Sequence, residues 1–320
     1  DLRLRRSMLH EAIPSLQSSQ RFGFSDGRAA YGHRVLGESL CAVGRYDDAV
    51  ESLQQAIEAD PLSRRDLLPL LAQSQLSAMA PLTEQSLQTI ERLLADPTLM
   101  PRARRSAELI RLRAMIALGM WQRVDQTIRQ NLEADHRGGS GPSNELREYH
   151  EELRLLQSIA EITRAINRYG PDGGSHNDGA ANREQIVEEL RPAIERMNRM
   201  QRETSHALAL EARLWTARAY RLQGFLERAL TQLASVRQQR PFAAESIVAG
   251  LEEIELFARL GRGVEVSRRV PAPPPGHATC PARHRTDDQD RRRSGADTEA
   301  RETGGAGTGA GEGRQGGSEP

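Results

Sequence analysis

The stretch that decides the fold is residues 33–61, HRVLGESLCAVGRYDDAVESLQQAIEADP. Its apolar residues recur every three or four positions, as on one face of an α-helix, and the pattern restarts after a glycine. Gly44 predicts the end of a first helix, because glycine readily adopts a positive φ. Asp60 and Pro61 predict the end of a second helix, because proline disfavours helical geometry in the residue before it. We therefore expect two antiparallel helices joined by a tight turn.

The small residues of this stretch indicate how the two helices pack. The helices are expected over residues 28–42 and 47–58. Gly37 and Ala49 are small where the helices would cross, so the two backbones can approach each other closely. Four apolar residues would fill the seam between them: Leu36, Leu40, Leu53 and Ile57.

Similar pairs of helices recur along the chain with a period of about 34 residues. Further hairpins are predicted at residues 64–97, 102–134 and 203–241. Gly119 and Gly224 stand in the later hairpins where Gly44 stands in the first, so the three turns are expected to be equivalent. A fixed period of this length is typical of stacked repeats. The sequence thus predicts an all-α fold, an α-solenoid of about five stacked antiparallel helical hairpins.

Regularity is weaker between residues 136 and 201. A helix is expected over residues 145–168, and a second one follows an N-cap at Asn182 with a bend at Pro192. We interpret this part as one divergent repeat with a long loop inserted between its helices. A short coiled coil is the alternative, because the apolar stripe of residues 145–168 is also compatible with heptads. Two segments rich in Gly, Ser and Asn are predicted to be loops: 136–144 and 170–182.

The two ends of the chain have different compositions. The first 20 residues read as an amphipathic helix, and residues 243–260 have the place of a capping helix, which a solenoid needs at its open end. Residues 271–320 contain no Leu, Ile, Val, Met, Phe, Trp or Tyr, so burial cannot offset the entropy of ordering them. We therefore predict a disordered C-terminal tail. The change of composition after Arg269 is also compatible with a shifted reading frame.

The chain is accordingly expected to have five parts. They are an N-terminal helix and turn (1–27), three repeats (28–135), a divergent helical pair with inserted loops (136–201), a repeat with its capping helix (202–262) and the tail (263–320). No run of about 18 apolar residues is found, so no membrane span is predicted within the chain.

The charged residues exclude several kinds of chemistry. The chain has 44 basic residues, all of them arginine, and 44 acidic residues. Without lysine there is no P-loop lysine, Schiff-base lysine or lysine general base. The nearly balanced charge of the tail argues against a basic arm that binds nucleic acid. Cys41 and Cys280 are far apart in sequence and imply no disulfide framework.

Catalytic, metal and cofactor sites are not predicted. No nucleophile with its base can be assembled from the sequence, because no local signature accompanies any candidate. His277, Cys280 and His284 have the spacing of metal ligands. They lack a fourth ligand, however, and they lie in the predicted tail, so we predict no metal there.

Residues 33–61 resemble a tetratricopeptide repeat. The family pattern places an aromatic residue, Leu-Gly, Tyr, Ala, Phe and a closing Pro at fixed offsets. It is met here as His33, Leu36, Gly37, Leu40, Ala49, Leu53 and Pro61. Residues 213–241 match the pattern strongly, and residues 108–132 match it less fully. The layout of the first part is also similar to that of large repeat proteins from GC-rich bacteria, including planctomycetes.

The resemblance implies a binding surface. In this family the first helix of each pair lines a concave groove that receives a peptide or a partner helix. The matching register gives nine candidate partner-binding residues: Arg34, Glu38, Cys41, Leu109, Arg113, Ile116, Leu214, Arg218 and Arg221. The four arginines would favour an acidic ligand, since guanidinium pairs well with carboxylate. Alternatively, they are solvated groove edges without a partner. The family's carboxylate clamp for heat-shock chaperones is not expected, because Glu38 replaces its asparagine and lysine is absent.

The function that the resemblance implies is that of a non-catalytic scaffold for protein–protein interaction, with a cytoplasmic location favoured. The alternative is a regulatory or accessory segment of a larger membrane-anchored or enzymatic protein. That alternative is kept because the first residue is Asp1 and not Met, so that an upstream segment could be missing.

Overall fold

The computed structural model describes residues 2–25, 27–136, 143–171, 179–204, 206–240 and 244–262. These residues form twelve α-helices and one short 3₁₀ helix, with no β-strand among them. The predicted all-α fold is thereby confirmed, whereas the predicted tail, residues 263–320, lies outside the described residues. The α-helices are α1 (Leu2–Phe22), α2 (Ala29–Val43), α3 (Tyr46–Ala59), α4 (Arg64–Ser77), α5 (Thr83–Leu94), α6 (Pro101–Ala117), α7 (Trp121–His136), α8 (Asn144–Tyr169), α9 (Gly179–Glu203), α10 (His206–Leu222), α11 (Leu226–Gln239) and α12 (Ala244–Arg259).

Ten of these helices form five hairpins, from α2–α3 to α10–α11. Each first helix contacts the first helix of the next hairpin, in the order α2, α4, α6, α8, α10 and α12, which we call the first-helix layer. Each second helix packs against its own first helix and the following one, and Arg123 of the second helix α7 also forms an ion pair with Glu91 of the second helix α5. Contacts between neighbours only are the defining property of an α-solenoid, as predicted.

The three predicted glycine turns are equivalent in the structure. Gly44, Gly119 and Gly224 have φ of +82°, +69° and +78°. In each turn the amide after the glycine donates to the carbonyl five residues earlier, at 2.8 to 2.9 Å. The Schellman motif has two hydrogen bonds, and this is the one that spans more residues. It satisfies a carbonyl that would otherwise be free at the helix end. Gly261, after α12, has φ +68° and the same bond, from Arg262 to Phe257 at 2.9 Å. The turn after α12 therefore has the same backbone geometry as the turns after α2, α6 and α10.

The crossing of α2 and α3 confirms the role predicted for the small residues. A Cβ added to Gly37 would lie 2.8 Å from two side-chain carbons of Leu53, a distance at which atoms overlap. Ala49 and Leu53 are completely buried at this crossing. Overpacking of such a site costs roughly 1–3 kcal/mol, so the close approach of the two helices depends on glycine at position 37.

The fourth hairpin belongs to the solenoid and is not a separate coiled coil. Buried residues of α8, including Leu153 and Leu156, share one hydrophobic core with Leu112 of α6 and Ala212 of α10. The predicted N-cap at Asn182 differs from the structure, where α9 begins three residues earlier at Gly179. Most of the two predicted loops, residues 137–142 and 172–178, lies outside the described residues.

The outer face of α12 differs from that of a capping helix. Capping helices present a polar face to solvent, but Ile247 and Leu251 of α12 are 63% and 64% exposed. The opposite face is buried, and Leu256 and Phe257 pack in one cluster with Leu233 of α11. The last described helix, α12, therefore has an apolar exposed surface. Among the described helices, none is both long enough and apolar enough to cross a membrane.

Candidate protein interface on the first-helix layer

The nine predicted partner-binding residues all lie on first helices, and the structure places the leucine and isoleucine residues among them against hydrophobic clusters. Ile116 and Leu214 are each only 6% exposed, and Leu109 is partly buried against the core that contains Ile116. Leu214 packs in one cluster with Leu256 and Phe257 of the next first helix, α12. Ile116 and Leu214 therefore hold hairpins together and are not available to a partner, which corrects their predicted position on the groove surface.

The three predicted residues of α2 are engaged within the chain. Sγ of Cys41 lies 3.1 Å from Oγ of Ser74 in α4. Burial raises the pKa of the Cys41 thiol, and the hydrogen bond to Ser74 offsets only part of that effect. Because the thiolate is the reactive form of cysteine, Cys41 is a packing contact at neutral pH. Arg34 and Glu38 pair with each other, with Nε 2.9 Å from Oε1.

Arg113 of α6 reaches past α8 to Glu211 of α10. Nη1 of Arg113 donates to Oε1 of Glu211 at 2.7 Å, and Nη2 donates to Oε2 at 3.0 Å. Burial acts to lower the pKa of Arg113, but the hydrogen bonds and charge of Glu211, with the charge of Glu152, outweigh burial and raise it. The guanidinium therefore stays charged, and a carboxylate of the same chain neutralises it.

Glu152 of α8 lies beside this pair and has no partner of its own. It makes no hydrogen bond or ion pair with the described residues. Burial raises the pKa of Glu152; the charge of Arg113 acts against this, and the charges of Glu211 and Glu148 reinforce it. The Arg113 guanidinium thus faces two carboxylates, those of Glu211 and Glu152, and Glu148 adds a further negative charge near Glu152. The centre of the first-helix layer has an excess of negative charge.

The two arginines of α10 pair with acids of α12. Nε of Arg218 donates to Oε1 of Glu252 at 2.8 Å, and its guanidinium lies 4.4 Å from the ring centroid of Trp215, within the range of a cation–π contact. Arg221 forms two hydrogen bonds of 2.9 Å with Glu255. These contacts bind the last two first helices to each other.

The pairing changes what this surface can bind. Each of the four predicted arginines is matched by an acid: Arg34 by Glu38, Arg113 by Glu211, Arg218 by Glu252 and Arg221 by Glu255. An acidic ligand would therefore have to displace a carboxylate that is already hydrogen-bonded. The residues that the sequence did not reveal are three of these acids: Glu211, Glu252 and Glu255. The repeat register contained a signal for Glu255. This residue lies six positions before the turn glycine Gly261, and Arg113 lies six positions before Gly119, so the two side chains occupy equivalent positions on their first helices.

Metal-binding groups are not assembled on this surface. Within the ranges that the structure describes, no three His, Cys, Asp or Glu side chains are arranged to hold a metal ion. His277, Cys280 and His284, whose spacing was considered above, lie outside those ranges.

Comparisons with known proteins do not extend this assignment. The chain matches no model of a known protein family, and no curated protein matches it.

Proposed function

We propose that the chain is a non-catalytic scaffold of the tetratricopeptide kind, which binds a peptide or helix of another protein along its first-helix layer. The observation that carries the proposal is the two-layer arrangement, in which six first helices lie side by side and are held by their neighbours. Such a surface exists before a partner arrives. Binding then costs little conformational entropy on the side of the scaffold.

We further infer that the docking segment is basic. Glu152 is half-buried, has a raised pKa and makes no hydrogen bond or ion pair with the described residues, and Glu211 and Glu148 add negative charge near it. A Lys or Arg of the bound segment would supply the opposite charge that favours the ionised form of Glu152. Binding of this kind weakens as salt screens the charges.

Site-specific photo-crosslinking tests whether the first-helix layer or the second helices bind the partner. Ser106 of α6 is exposed, and it lies 13 residues before the turn glycine Gly119. Glu211, which pairs with Arg113, lies 13 residues before Gly224. Ser106 is therefore expected on the same face of the first-helix layer as Arg113. A photo-crosslinking residue at position 106 of the full chain, introduced in the native cell, is expected to capture a partner segment rich in Lys and Arg. The captured amount should fall when salt is raised before irradiation.

The matched control carries the same residue at Gln88, which is exposed on the second helix α5. Capture from position 88 and not from 106 would move the interface to the other layer and refute the proposal. Capture of acidic segments from position 106 would refute the inferred charge of the partner.

A further inference from the structure

We propose that a groove between the second helices α3 and α5 binds an extended, acidic segment of a partner protein through the main chain of that segment. The face of α4 that lies between these two helices forms the floor of the groove. Its volume, about 380 Å³, is within the range of pockets that enclose ligands. Four glutamines line it, and we call it the glutamine groove: Gln54 of α3, Gln75 of α4, and Gln85 and Gln88 of α5.

Gln75 is the residue that indicates a ligand. Its side chain is buried, with the residue only 2% exposed, and its Oε1 accepts a hydrogen bond from Oγ1 of Thr89 at 3.1 Å. Its Nε2 donates to no atom of the described residues, although Gln75 lines the groove. A buried amide that lacks a hydrogen bond is unfavourable. The groove is therefore expected to receive a hydrogen-bond acceptor opposite Nε2.

The three other glutamines are free to bind the same ligand. Gln54, Gln85 and Gln88 are exposed, and none of them makes a hydrogen bond or ion pair with the described residues. A glutamine side chain has both an acceptor oxygen and a donor NH₂ group, and a peptide unit likewise has one donor and one acceptor. Such side chains can hydrogen-bond to the N–H and C=O groups of an extended segment, whatever its side chains are.

The floor of the groove is apolar. Leu68 and Leu71 of α4 are 7% and 6% exposed, and Ile57 of α3 is half-buried beside them. These three residues line the groove together with the glutamines. The bound segment therefore also carries an apolar side chain that packs against this floor.

One end of the groove has an excess of positive charge. Arg65 pairs with Asp96, just after α5, so Arg64 and Arg92 lie at the same end of the groove. A single acid, Glu58, lines the groove with them, and none of these three residues forms an ion pair with the described residues. Because guanidinium pairs well with carboxylate, the bound segment carries an Asp or Glu at this end.

The glutamine lining distinguishes this groove from the corresponding one between α7 and α9. There the face of α8 carries Arg164, which pairs with Asp125 at 2.8 Å, and Gln157 is the one glutamine that lines the two cavities described on that face. The packing of a first helix between two second helices therefore does not itself require the uncharged polar lining found between α3 and α5.

Selection of short linear peptides from a random phage-displayed library, with the full chain as the target, tests the proposal. The selected peptides are expected to share an apolar residue and an Asp or Glu. In fluorescence anisotropy, Gln54→Ala with Gln88→Ala should weaken their binding about tenfold, because two hydrogen bonds are lost. Methylation of the peptide's backbone nitrogens removes its N–H donors and should weaken binding to a similar extent. Arg64→Glu with Arg92→Glu should remove the preference for acidic peptides.

The matched control is Gln122→Ala with Gln130→Ala, two exposed glutamines of α7. It should bind the selected peptides as the unaltered chain does, and circular dichroism should show the same helix content for all variants. A library that yields no binding peptide overturns the proposal. Peptides that bind equally well to the control and to the variant altered at Gln54 and Gln88, or equally well after methylation, also overturn it.

This site does not depend on the function proposed for the first-helix layer, and the two can fail separately. Capture of a basic segment from position 106 should be unchanged by Gln54→Ala. Because Gln88 lies in the glutamine groove, a segment captured from position 88 should be acidic. Capture of a basic segment from position 88 would contradict the charge inferred for this groove.

Discussion

Single glycines determine where three of the first helices, α2, α6 and α10, stop. Gly44, Gly119 and Gly224 share a positive φ and the same hydrogen bond across the turn. Most other residues meet a clash of Cβ in this conformation, which costs roughly 1–2 kcal/mol. The requirement is local, since it arises from the backbone of one residue. For that reason these turns could be predicted from the sequence.

Replacement of two glycines by alanine tests this local requirement. Gly44→Ala should lower the free energy of unfolding by about 1–2 kcal/mol, because alanine resists a φ of this sign. Gly250 lies inside α12, where an added Cβ would make only ordinary contacts, 3.6 Å or more from Arg237. Gly250→Ala should therefore stabilise the protein by about 0.5–1 kcal/mol. Urea unfolding measures both. Equal effects of the two replacements would contradict the account of the turn.

At the scale of one element, α8 shows what the sequence does and does not determine. Its boundaries, Asn144–Tyr169, agree with the predicted 145–168 to within a residue, because the apolar period and the flanking Gly-rich segments are local signals. The position of Glu152 beside Arg113 and Glu211 was not predicted. It depends on how α6, α8 and α10 rotate against one another, and this rotation is set by packing between residues up to 98 positions apart.

The raised pKa of Glu152 gives a pH-dependent prediction. A carboxyl whose pKa is raised on folding stabilises the folded state below its ordinary pKa, and this contribution is lost as pH rises through the folded pKa. Glu152→Gln should therefore raise the melting temperature at pH 7. The difference from the unaltered chain should shrink as pH falls toward about 4, near the ordinary pKa of glutamate.

Thermal unfolding followed by circular dichroism between pH 4 and pH 8 measures this difference. Glu195→Gln, at an exposed position on α9, serves as the control and should track the unaltered chain. A Glu152→Gln variant that is less stable at pH 7 would mean that attraction to Arg113 outweighs burial and repulsion at this site.

At the scale of the whole molecule, stability is distributed along the stack. The largest hydrophobic core runs from α3 to α10, and smaller clusters lie at either end, around Ile13 and around Leu256. In such a chain each hairpin is stabilised chiefly by its neighbours. The Arg113–Glu211 pair is an exception, because it joins α6 to α10 across an intervening first helix.

A double-mutant cycle with Arg113→Ala and Glu211→Ala measures that longer link. Two charge-assisted hydrogen bonds at a partly exposed site should give a coupling energy of about 1 kcal/mol. Arg113→Ala alone should cost more than Glu211→Ala, because it leaves Glu211 and Glu152 together without a counter-charge.

Arg34 and Glu38 provide the matched comparison. They form an ion pair within a single helix, with side chains 39% and 42% exposed, and a cycle at this pair should give about 0.3–0.5 kcal/mol. Equal coupling energies at the two sites would show that the pair across α8 contributes no more than an ordinary surface ion pair.

The pair across α8 also affects how the molecule deforms. A stack in which each hairpin contacts only its neighbours bends evenly, because every junction between hairpins contributes a similar share of the flexibility. The Arg113–Glu211 ion pair adds a second connection between the third and fifth hairpins, so the segment from α6 to α10 resists bending as a unit. Bending under force is then concentrated on either side of that segment, in the first two hairpins and at α12.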